Sequence, residues 1–200
     1  MSRIMTKTLE VTDRSASWAV QATLVVGASL LVALCARISV PLPFTPVPLT
    51  LQNLAVLLVG LLLGSRAGLA ALSLYLVEGA SGFPVFTPGP GGIAQLLGPT
   101  GGFLCAYPFV AWLAGYIFEQ LRPRVLAGRT QSNFVRALIA STAAEVLLFA
   151  GGLSWLFILT HSVALAFRWG LYWFFFAEII KIMLAAGIAS AWQLGRRTDL

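Results

Sequence analysis

The sequence predicts an all-α membrane protein with six transmembrane helices, and its apolar composition is the first reason. Of the 200 residues 58% are hydrophobic and 10% are charged, and the mean hydropathy is +0.88, whereas soluble domains carry about 25% charged residues. The second reason is the number of apolar runs, because a spanning helix takes about 20 such residues. Six runs follow one another, at about 18–38, 49–64, 67–78, 96–118, 133–158 and 170–194. The third run is short for a spanning helix.

The distribution of basic residues predicts the orientation of these helices. Cytoplasmic loops of membrane proteins are enriched in Lys and Arg. With six spans, ten of the 13 basic residues fall on one side, before the first span and after the second, fourth and sixth. Both termini are therefore predicted to be cytoplasmic, with residues 1–17 as an N-terminal tail and residues 18–200 as a single six-helix membrane domain.

The composition also argues against several other functions. The basic residues form no single patch, so the net charge of +6 does not indicate nucleic-acid binding. Cys35 and Cys105 each lie inside an apolar run, which excludes a disulfide framework and a multi-cysteine metal site. The single histidine, His161, argues against a His-based metal site. The chain contains no Gly-x-x-x-x-Gly-Lys-Ser/Thr segment, so energy from ATP would have to come from a partner.

The last apolar run carries two charges near its middle, Glu178 and Lys181. A charge at the centre of a membrane helix costs about 2.5–3.5 kcal/mol on insertion scales. Residues three apart share a helix face, so the two charges can neutralise each other and point into the protein. Because a carboxylate accepts and an ammonium donates, the pair suits a small ligand that has a donor beside an acceptor. The alternative is an ion pair that only fixes helix packing.

Two segments between the runs are rich in proline and glycine. Residues 39–50 contain four prolines, which remove N–H donors and favour an extended, stiff chain. Residues 79–92 and 98–102 contain glycines, which permit positive φ and close backbone approach. Irregular backbone at membrane depth is tolerated only where it is buried or lines a cavity. The two outer loops are therefore predicted to cap a ligand pocket; the alternative is that they are only tight connections.

These segments resemble the BioY family, the biotin-specific substrate-binding (S) components of energy-coupling-factor (ECF) transporters. The matching segments lie in order along the chain: Ile38-Ser-Val-Pro-Leu-Pro-Phe-Thr-Pro-Val-Pro-Leu-Thr-Leu-Gln52, Gly60-Leu-Leu-Leu-Gly64, Tyr75-Leu-Val-Glu-Gly-Ala-Ser-Gly-Phe-Pro-Val-Phe86, Gly98-Pro-Thr-Gly-Gly-Phe103 and Glu178-Ile-Ile-Lys181. The resemblance covers essentially the whole chain after residue 18. It implies a multi-pass protein of a prokaryotic plasma membrane that binds biotin from outside, with no catalysis and no cofactor. It also implies a transmembrane coupling subunit and two cytosolic ATPases as partners that power release inward.

The resemblance and the chemistry of the charged pair together predict a ligand site. Glu178 would accept from an N–H of the ureido ring of biotin, and Lys181 would donate to its carbonyl. Gln52, Phe44 and Val47 are also expected to contact the ligand; for Gln52 the alternative is a helix cap or an interhelical hydrogen bond. The ligand carboxylate is expected at a glycine-rich turn or a helix start, where the dipole favours anions. The candidates for that end are Gly91, Gly92, Gly101 and Gly102, with plain turn geometry as the alternative; Pro90 is also expected to contact the ligand.

Some positions depart from the family's pattern. The family motif in the sixth span is Asp-x-x-Lys, usually preceded by Pro-Gly, whereas here Glu178 follows Phe176-Ala177. The longer glutamate keeps the charge but moves the carboxylate by about one methylene. Glu78 and Glu145 are acids where the family usually has small or apolar residues, and the resemblance implies no role for them.

The first apolar run carries two small residues, Ser29 and Ala33, one helical turn apart. Such pairs let membrane helices approach closely, and in S components such a face docks the coupling subunit. Ser29 and Ala33 are therefore predicted to bind that partner, with internal packing as the alternative. Arg37, at the end of the same run, is interpreted as a snorkelling interface residue.

Two other functions remain open. An S component or stand-alone carrier for a different vitamin would keep the fold, but it would need ligand contacts other than Glu178 and Lys181. A distant alternative is a rhomboid-like intramembrane protease, because Gly79-Ala-Ser-Gly82 reads as its nucleophile segment and His161 could be the base. Against this, Ser81 is followed by Phe-Pro in an outer loop, and a nucleophile needs its base within hydrogen-bond reach.

Overall fold

The computed structural model describes residues 2–121 and 132–198, and most of them are helical. The α-helices in these residues are α1 (Ser2–Arg37), α2 (Gln52–Leu63), α3 (Ser65–Ala80), α4 (Gly92–Leu97), α5 (Gly101–Gln120), α6 (Asn133–Thr160), α7 (Val163–Phe167) and α8 (Phe175–Thr198). A π-helical segment, Arg168–Tyr172, follows α7. Two short strands, β1 (Ser39–Val40) and β2 (Leu49–Thr50), pair antiparallel.

The chain is an all-α membrane protein, because several of these helices are long and apolar enough to cross a bilayer. The four that meet this criterion by length and composition are Ser17–Arg37, Gly101–Gln120, Asn133–Thr160 and Phe175–Leu194. Helices α2 and α3 are shorter, about 18 and 24 Å at 1.5 Å per residue, against a hydrocarbon core of about 30 Å. The count of six spans therefore stays a prediction. Helix α1 begins at Ser2 and runs through position 17 without a break, so the predicted tail is helical.

Three helices start later than their apolar runs predict, each for a local reason. Positions 49–50 form β2, so α2 starts at Gln52. The run 96–118 is divided at Gly98, which is extended (ψ −175°) before Pro99, because a residue preceding proline avoids the α region. Helix α8 starts at Phe175 because the π-helical segment occupies the beginning of the run 170–194.

Helix α5 lies at the centre of the bundle and packs against α2, α3 and α6. Small residues allow the backbone of α5 to touch those of α2 and α3: a Cβ on Gly60 would lie 2.3 Å from the carbonyl oxygen of Ala111, and one on Gly115 would lie 2.5 Å from the amide nitrogen of Ser65, the first residue of α3. Close approach through small residues is typical of membrane helices, where van der Waals packing replaces the hydrophobic effect. Helix α8 packs against α2 and α6, and α1 packs against α2 and α3.

The two proline- and glycine-rich loops lie against the same end of the bundle. In the first, β1 pairs with β2 in the register Ser39 with Thr50, and the hydroxyl of Thr45 donates to the carbonyl of Trp169, 2.8 Å away. In the second, the ring of Phe86 packs edge-on against Tyr75. The segment predicted to be extended thus contains a short strand pair, and a side-chain bond holds it to the π-helical segment.

Candidate ligand-binding site

A cavity opens between α2, α5, α6 and α8 beneath the first loop. It holds about 540 Å³ of empty space, including its mouth. One part of its wall is polar and the rest is mainly apolar, which is the usual composition of a small-molecule site. The lining residues are Val47, Pro48, Thr50, Gln52, Asn53, Thr87, Thr100, Phe103, Leu104, Tyr107, Leu148, Phe149, Gly170, Phe174, Glu178 and Lys181.

Glu178 and Lys181 form an ion pair in the wall of this cavity. The Lys181 Nζ lies 2.7 Å from the Glu178 Oε1, and each residue is 6% exposed. Their spacing of three residues places both on the face of α8 that is turned to the bundle, as the sequence predicted. The pair presents an acceptor beside a donor, which a ligand with the opposite arrangement can satisfy.

Asn53 joins this pair to a second acid on another helix. Its Nδ2 donates to the Glu178 Oε2 at 2.6 Å and lies 3.0 and 2.9 Å from the two carboxylate oxygens of Glu145. Asn53 comes from α2 and Glu145 from α6, so one amide nitrogen connects three helices. The Asn53 Oδ1 is buried and has no hydrogen-bond partner among the described residues.

Sequence reasoning did not select Asn53 and left Glu145 without a role. The signal in the sequence is weak. Asn53 is the second of two adjacent amides at the start of an apolar run, and the segment that carries the family resemblance ends at its neighbour Gln52. Which of two consecutive helical residues turns toward α8 depends on the rotation of α2, and that rotation follows from packing.

Gln52 lines the cavity and also makes an interhelical hydrogen bond. Its Nε2 donates to the hydroxyl of Tyr75 at 2.9 Å, and that hydroxyl donates to the carbonyl of Val85 at 3.1 Å. The chain of bonds joins α2 to α3 and to the second loop. Both the predicted ligand contact and its alternative, an interhelical bond, are therefore compatible with where Gln52 lies.

The side chain of Gln95 ties the second loop to the start of α5 at one side of the cavity. Its Nε2 lies 3.1 Å from the hydroxyl oxygen of Thr87 and 3.5 Å from that of Thr100. Its Oε1 accepts from the backbone N–H of Gly91 at 3.4 Å. The two threonines line the cavity, so Gln95 sets the position of hydroxyl groups that a ligand can reach.

Comparison with known proteins identifies the family. A model of the BioY family matches residues 5–197. The chain belongs to the BioY family. The biotin transporter BioY of Rhizobium etli is 34% identical over 170 residues, 84% of this chain and 89% of that protein. The biotin transporter BioY2 of Lactococcus lactis subsp. cremoris is 36% identical over 163 residues, 81% of this chain and 84% of that protein.

A solved structure is similar over nearly the whole chain. The crystal structure of the S-component for biotin from an ECF-type ABC transporter matches with a TM-score of 0.78 at 25% identity, covering 89% of this chain and 93% of that chain. The resemblance read from the sequence is thus confirmed, and the family is one of transporter components.

The predicted ligand residues of this BioY-family chain divide into two groups. Glu178, Lys181, Gln52 and Val47 line the cavity. Phe44 does not line it; its ring lies against the ring of Trp173, with 4.0 Å between the centroids.

Pro90 and the glycines predicted to hold the ligand carboxylate do not line the cavity. Gly101 and Gly102 lie in helix contacts: a Cβ on Gly101 would lie 1.7 Å from the carbonyl oxygen of Leu96, and one on Gly102 would lie 2.2 Å from the Cβ of Trp155. They are glycines because neighbouring backbone and side chains leave no room for a Cβ. Pro90 is exposed and Gly91 and Gly92 are partly exposed in the second loop.

The small pair of α1 faces two different environments. Ser29 is fully buried, and its hydroxyl donates to the Glu78 Oε2 of α3 at 2.5 Å. Its side chain is therefore turned into the bundle, as the alternative of internal packing expected, while Ala33 is partly buried. Partner binding through this face stays a prediction. Arg37 is exposed and its guanidinium donates to the carbonyl of Pro84, so it ties α1 to the second loop.

The two residues of the protease alternative lie at helix ends. Ser81 follows the last residue of α3, and His161 follows the last residue of α6 with a φ of 51°. Both are exposed, and no hydrogen bond joins them in the described part of the chain. The arrangement gives no support to a nucleophile and base pair.

Proposed function

We propose that this chain captures biotin as the substrate-binding S component of an ECF-type vitamin transporter and so serves biotin uptake. The observation that carries the proposal is the buried Glu178–Lys181 pair, with Asn53 bonded to Glu178, in the wall of a cavity. Membership of the BioY family supports it, because the relatives from Rhizobium etli and Lactococcus lactis are named biotin transporters.

The polar wall of the cavity complements the ureido ring of biotin, which has two N–H groups on either side of a carbonyl. Glu178 accepts from one N–H and Lys181 donates to the carbonyl. The unpartnered Asn53 Oδ1 accepts from the second N–H. Hydrogen bonds to charged groups are roughly twice as strong as neutral ones. An analogue that lacks a partner leaves a buried polar group unsatisfied and is therefore discriminated against.

The remainder of the ligand fits the rest of the cavity. The thiophane ring and valeryl chain are apolar and suit the wall formed by Phe103, Leu104, Leu148, Phe149 and Phe174. For the ligand carboxylate we propose the hydroxyls of Thr87 and Thr100, which line the cavity, in place of the backbone of Gly101 and Gly102. The hydroxyl hydrogen can rotate toward an acceptor.

The transport role requires an orientation and partners. We propose six membrane crossings, with α2 and α3 as two of them, and with both termini in the cytoplasm of a prokaryotic cell. The basic residues support this orientation. The loops at 39–50 and 79–92, which carry no Lys or Arg, then face outward and admit biotin. Release inward would be driven by a transmembrane coupling subunit and two cytosolic ATPases.

The test is calorimetric titration of biotin into the purified protein in detergent, with desthiobiotin and an unrelated vitamin alongside. We expect one saturable site with a Kd at or below about 1 μM, which corresponds to about −8 kcal/mol. Desthiobiotin, which keeps the ureido ring, should also bind. A folded sample that gives no saturable heat with biotin would contradict the proposal, and binding of the unrelated vitamin instead would favour a carrier for another ligand.

A further inference from the structure

Glu145 is a buried acid that does not itself line the cavity, yet it contacts a residue that does. We propose that Glu145 is a positioning residue: it fixes the amide of Asn53 with its oxygen toward the ligand, and thereby makes the site selective for a ligand with two neighbouring N–H donors. This inference rests on the proposed biotin function and deepens it by assigning the source of ureido selectivity.

The chemistry of the contacts determines which way the amide points. Carboxylates accept hydrogen bonds, and of the two ends of an amide only the NH₂ group donates. The nitrogen of Asn53 lies within 3.0 Å of both oxygens of Glu145 and 2.6 Å from one oxygen of Glu178. The amide oxygen is at the opposite end of the same planar group. It is therefore left without a partner in the described residues, on a side chain that lines the cavity.

Glu145 is needed for this orientation because Glu178 is shared. One oxygen of Glu178 accepts from Lys181 and the other accepts from Asn53, and a ligand N–H would compete for the same carboxylate. Glu145 also interacts with Glu178, but unlike Glu178 it does not line the cavity, so it can hold the NH₂ group while Glu178 engages the ligand.

Without Glu145 the amide can turn over. Two of the three contacts of its nitrogen are lost, and a rotation of about 180° would aim the NH₂ group at the ligand. A donor would then meet the second ureido N–H, and the buried donor would be unsatisfied, which costs about 1–3 kcal/mol in general. Asn53 and Glu145 are each only 4% exposed, so water cannot readily supply the missing partner.

The groups around Glu145 determine which substitutions test its role as a hydrogen-bond acceptor for Asn53. Lys181 and Glu178 face it from α8, Asn53 faces it from α2, and Tyr107 of α5 interacts electrostatically with both glutamates. Glu145→Gln removes the acid but keeps an oxygen that accepts from Asn53. Glu145→Met keeps a similar length but removes every oxygen acceptor. Both variants remove the carboxyl group, so a difference between them reports the acceptor.

The experiment is calorimetric titration of the full-length protein in detergent with biotin and with its two mono-N-methylated ureido analogues. We expect Glu145→Met to weaken biotin binding by roughly 10-fold, the size of one unsatisfied buried group. Glu145→Gln should stay within about 3-fold of the parent protein, since an amide oxygen still accepts. One of the two analogues carries its methyl group on the nitrogen that would donate to the Asn53 Oδ1. For that analogue, the loss of affinity relative to biotin should be large in the parent protein and small in Glu145→Met.

A cycle with Asn53→Ala tests whether Glu145 acts through Asn53. If it does, adding Glu145→Met to Asn53→Ala causes no further loss of affinity, because coupled residues are non-additive. Glu119→Met is the matched control: Glu119 is a partly buried acid that accepts two hydrogen bonds from Ser65, away from the cavity. It should bind biotin as the parent protein does.

Different failures point to different errors. If the parent protein binds no biotin, the proposed function is wrong and this inference falls with it. If the parent protein binds biotin and Glu145→Met binds equally well, or loses the same factor with and without Asn53, only the positioning role is refuted. Thermal unfolding without ligand identifies a variant that does not fold. In that case Glu145→Ala replaces it, because alanine also lacks an acceptor and adds no bulk.

Discussion

Replacing Lys181 by methionine removes the ammonium group and keeps a side chain of similar length. The Nζ lies 2.7 Å from the Glu178 Oε1, so the variant leaves a buried carboxylate whose remaining donor is Asn53 at 2.6 Å. Removing one member of a buried ion pair costs about 3–5 kcal/mol. Because Asn53 still donates to Glu178, we expect the free energy of unfolding to fall by about 3 kcal/mol, at the lower end of that range.

The same substitution should weaken biotin binding, because the ligand carbonyl loses its charged donor. A hydrogen bond to a charged group contributes about 1.5–3 kcal/mol, which corresponds to a rise in Kd of about 10- to 150-fold. Calorimetry gives the Kd, and thermal unfolding in detergent gives the stability. Arg66→Met, which removes an exposed cation, is the control and should change neither quantity.

A double variant separates the two effects of Lys181. Glu178→Gln combined with Lys181→Met removes both charges, and replacing a buried ion pair by neutral groups is often neutral or stabilising. We expect the double variant to recover most of the lost stability but none of the biotin affinity. Biotin binding within about 3-fold of the parent protein in Lys181→Met, or a double variant no more stable than the single one, would refute the reasoning.

Three further predictions concern the frame around the cavity. Gly115→Ala should lower the free energy of unfolding by about 1–3 kcal/mol, because its Cβ would lie 2.5 Å from a backbone nitrogen of the neighbouring helix; Gly27→Ala, with no atom within 4 Å, should not lower it. Thermal unfolding checks both, and equal effects would contradict the close helix contact. Tyr75→Phe should cost about 1 kcal/mol, because the hydroxyl that accepts from Gln52 is lost; an unchanged unfolding temperature would count against this bond. Gln95→Leu should speed biotin dissociation by roughly 5-fold, the equivalent of about 1 kcal/mol. Stopped-flow tryptophan fluorescence measures this rate, and an unchanged rate would refute a role for Gln95 in retaining the ligand.

The sequence was sufficient to predict the charged pair because its geometry is local. Glu178 and Lys181 are three residues apart on one helix, so their contact follows from the helical repeat alone. The membrane class followed from composition in the same way. The starts of three helices were placed wrongly, because a π-helical segment, a short strand pair and the Gly98-Pro99 break interrupt runs whose hydropathy is continuous.

The partners of the pair were not predictable, because they come from other helices. Asn53 and Glu145 are 92 residues apart, and nothing in their spacing indicates that α2 and α6 face each other at this depth. The glycines illustrate the converse, and their contact with a ligand stays a prediction. Gly101 and Gly102 belong to a segment typical of anion sites, but the proximity of Leu96 and Trp155 accounts for their lack of a side chain.

The polar wall is better explained by selectivity than by stability. Glu145, Glu178 and Lys181 are buried in a bundle whose core is mainly apolar, and a buried ion pair is often no more stabilising than apolar residues of the same volume. The connections of the Asn53 nitrogen to Glu178 and Glu145 limit this cost, since each carboxylate receives a donor. Among the described residues, this cluster leaves one acceptor without a partner, the Asn53 Oδ1. In the proposed function, a ligand with two N–H donors and a carbonyl gives that oxygen a partner and also bonds to the charged pair, and an analogue that lacks one of these groups leaves a buried polar group unpaired.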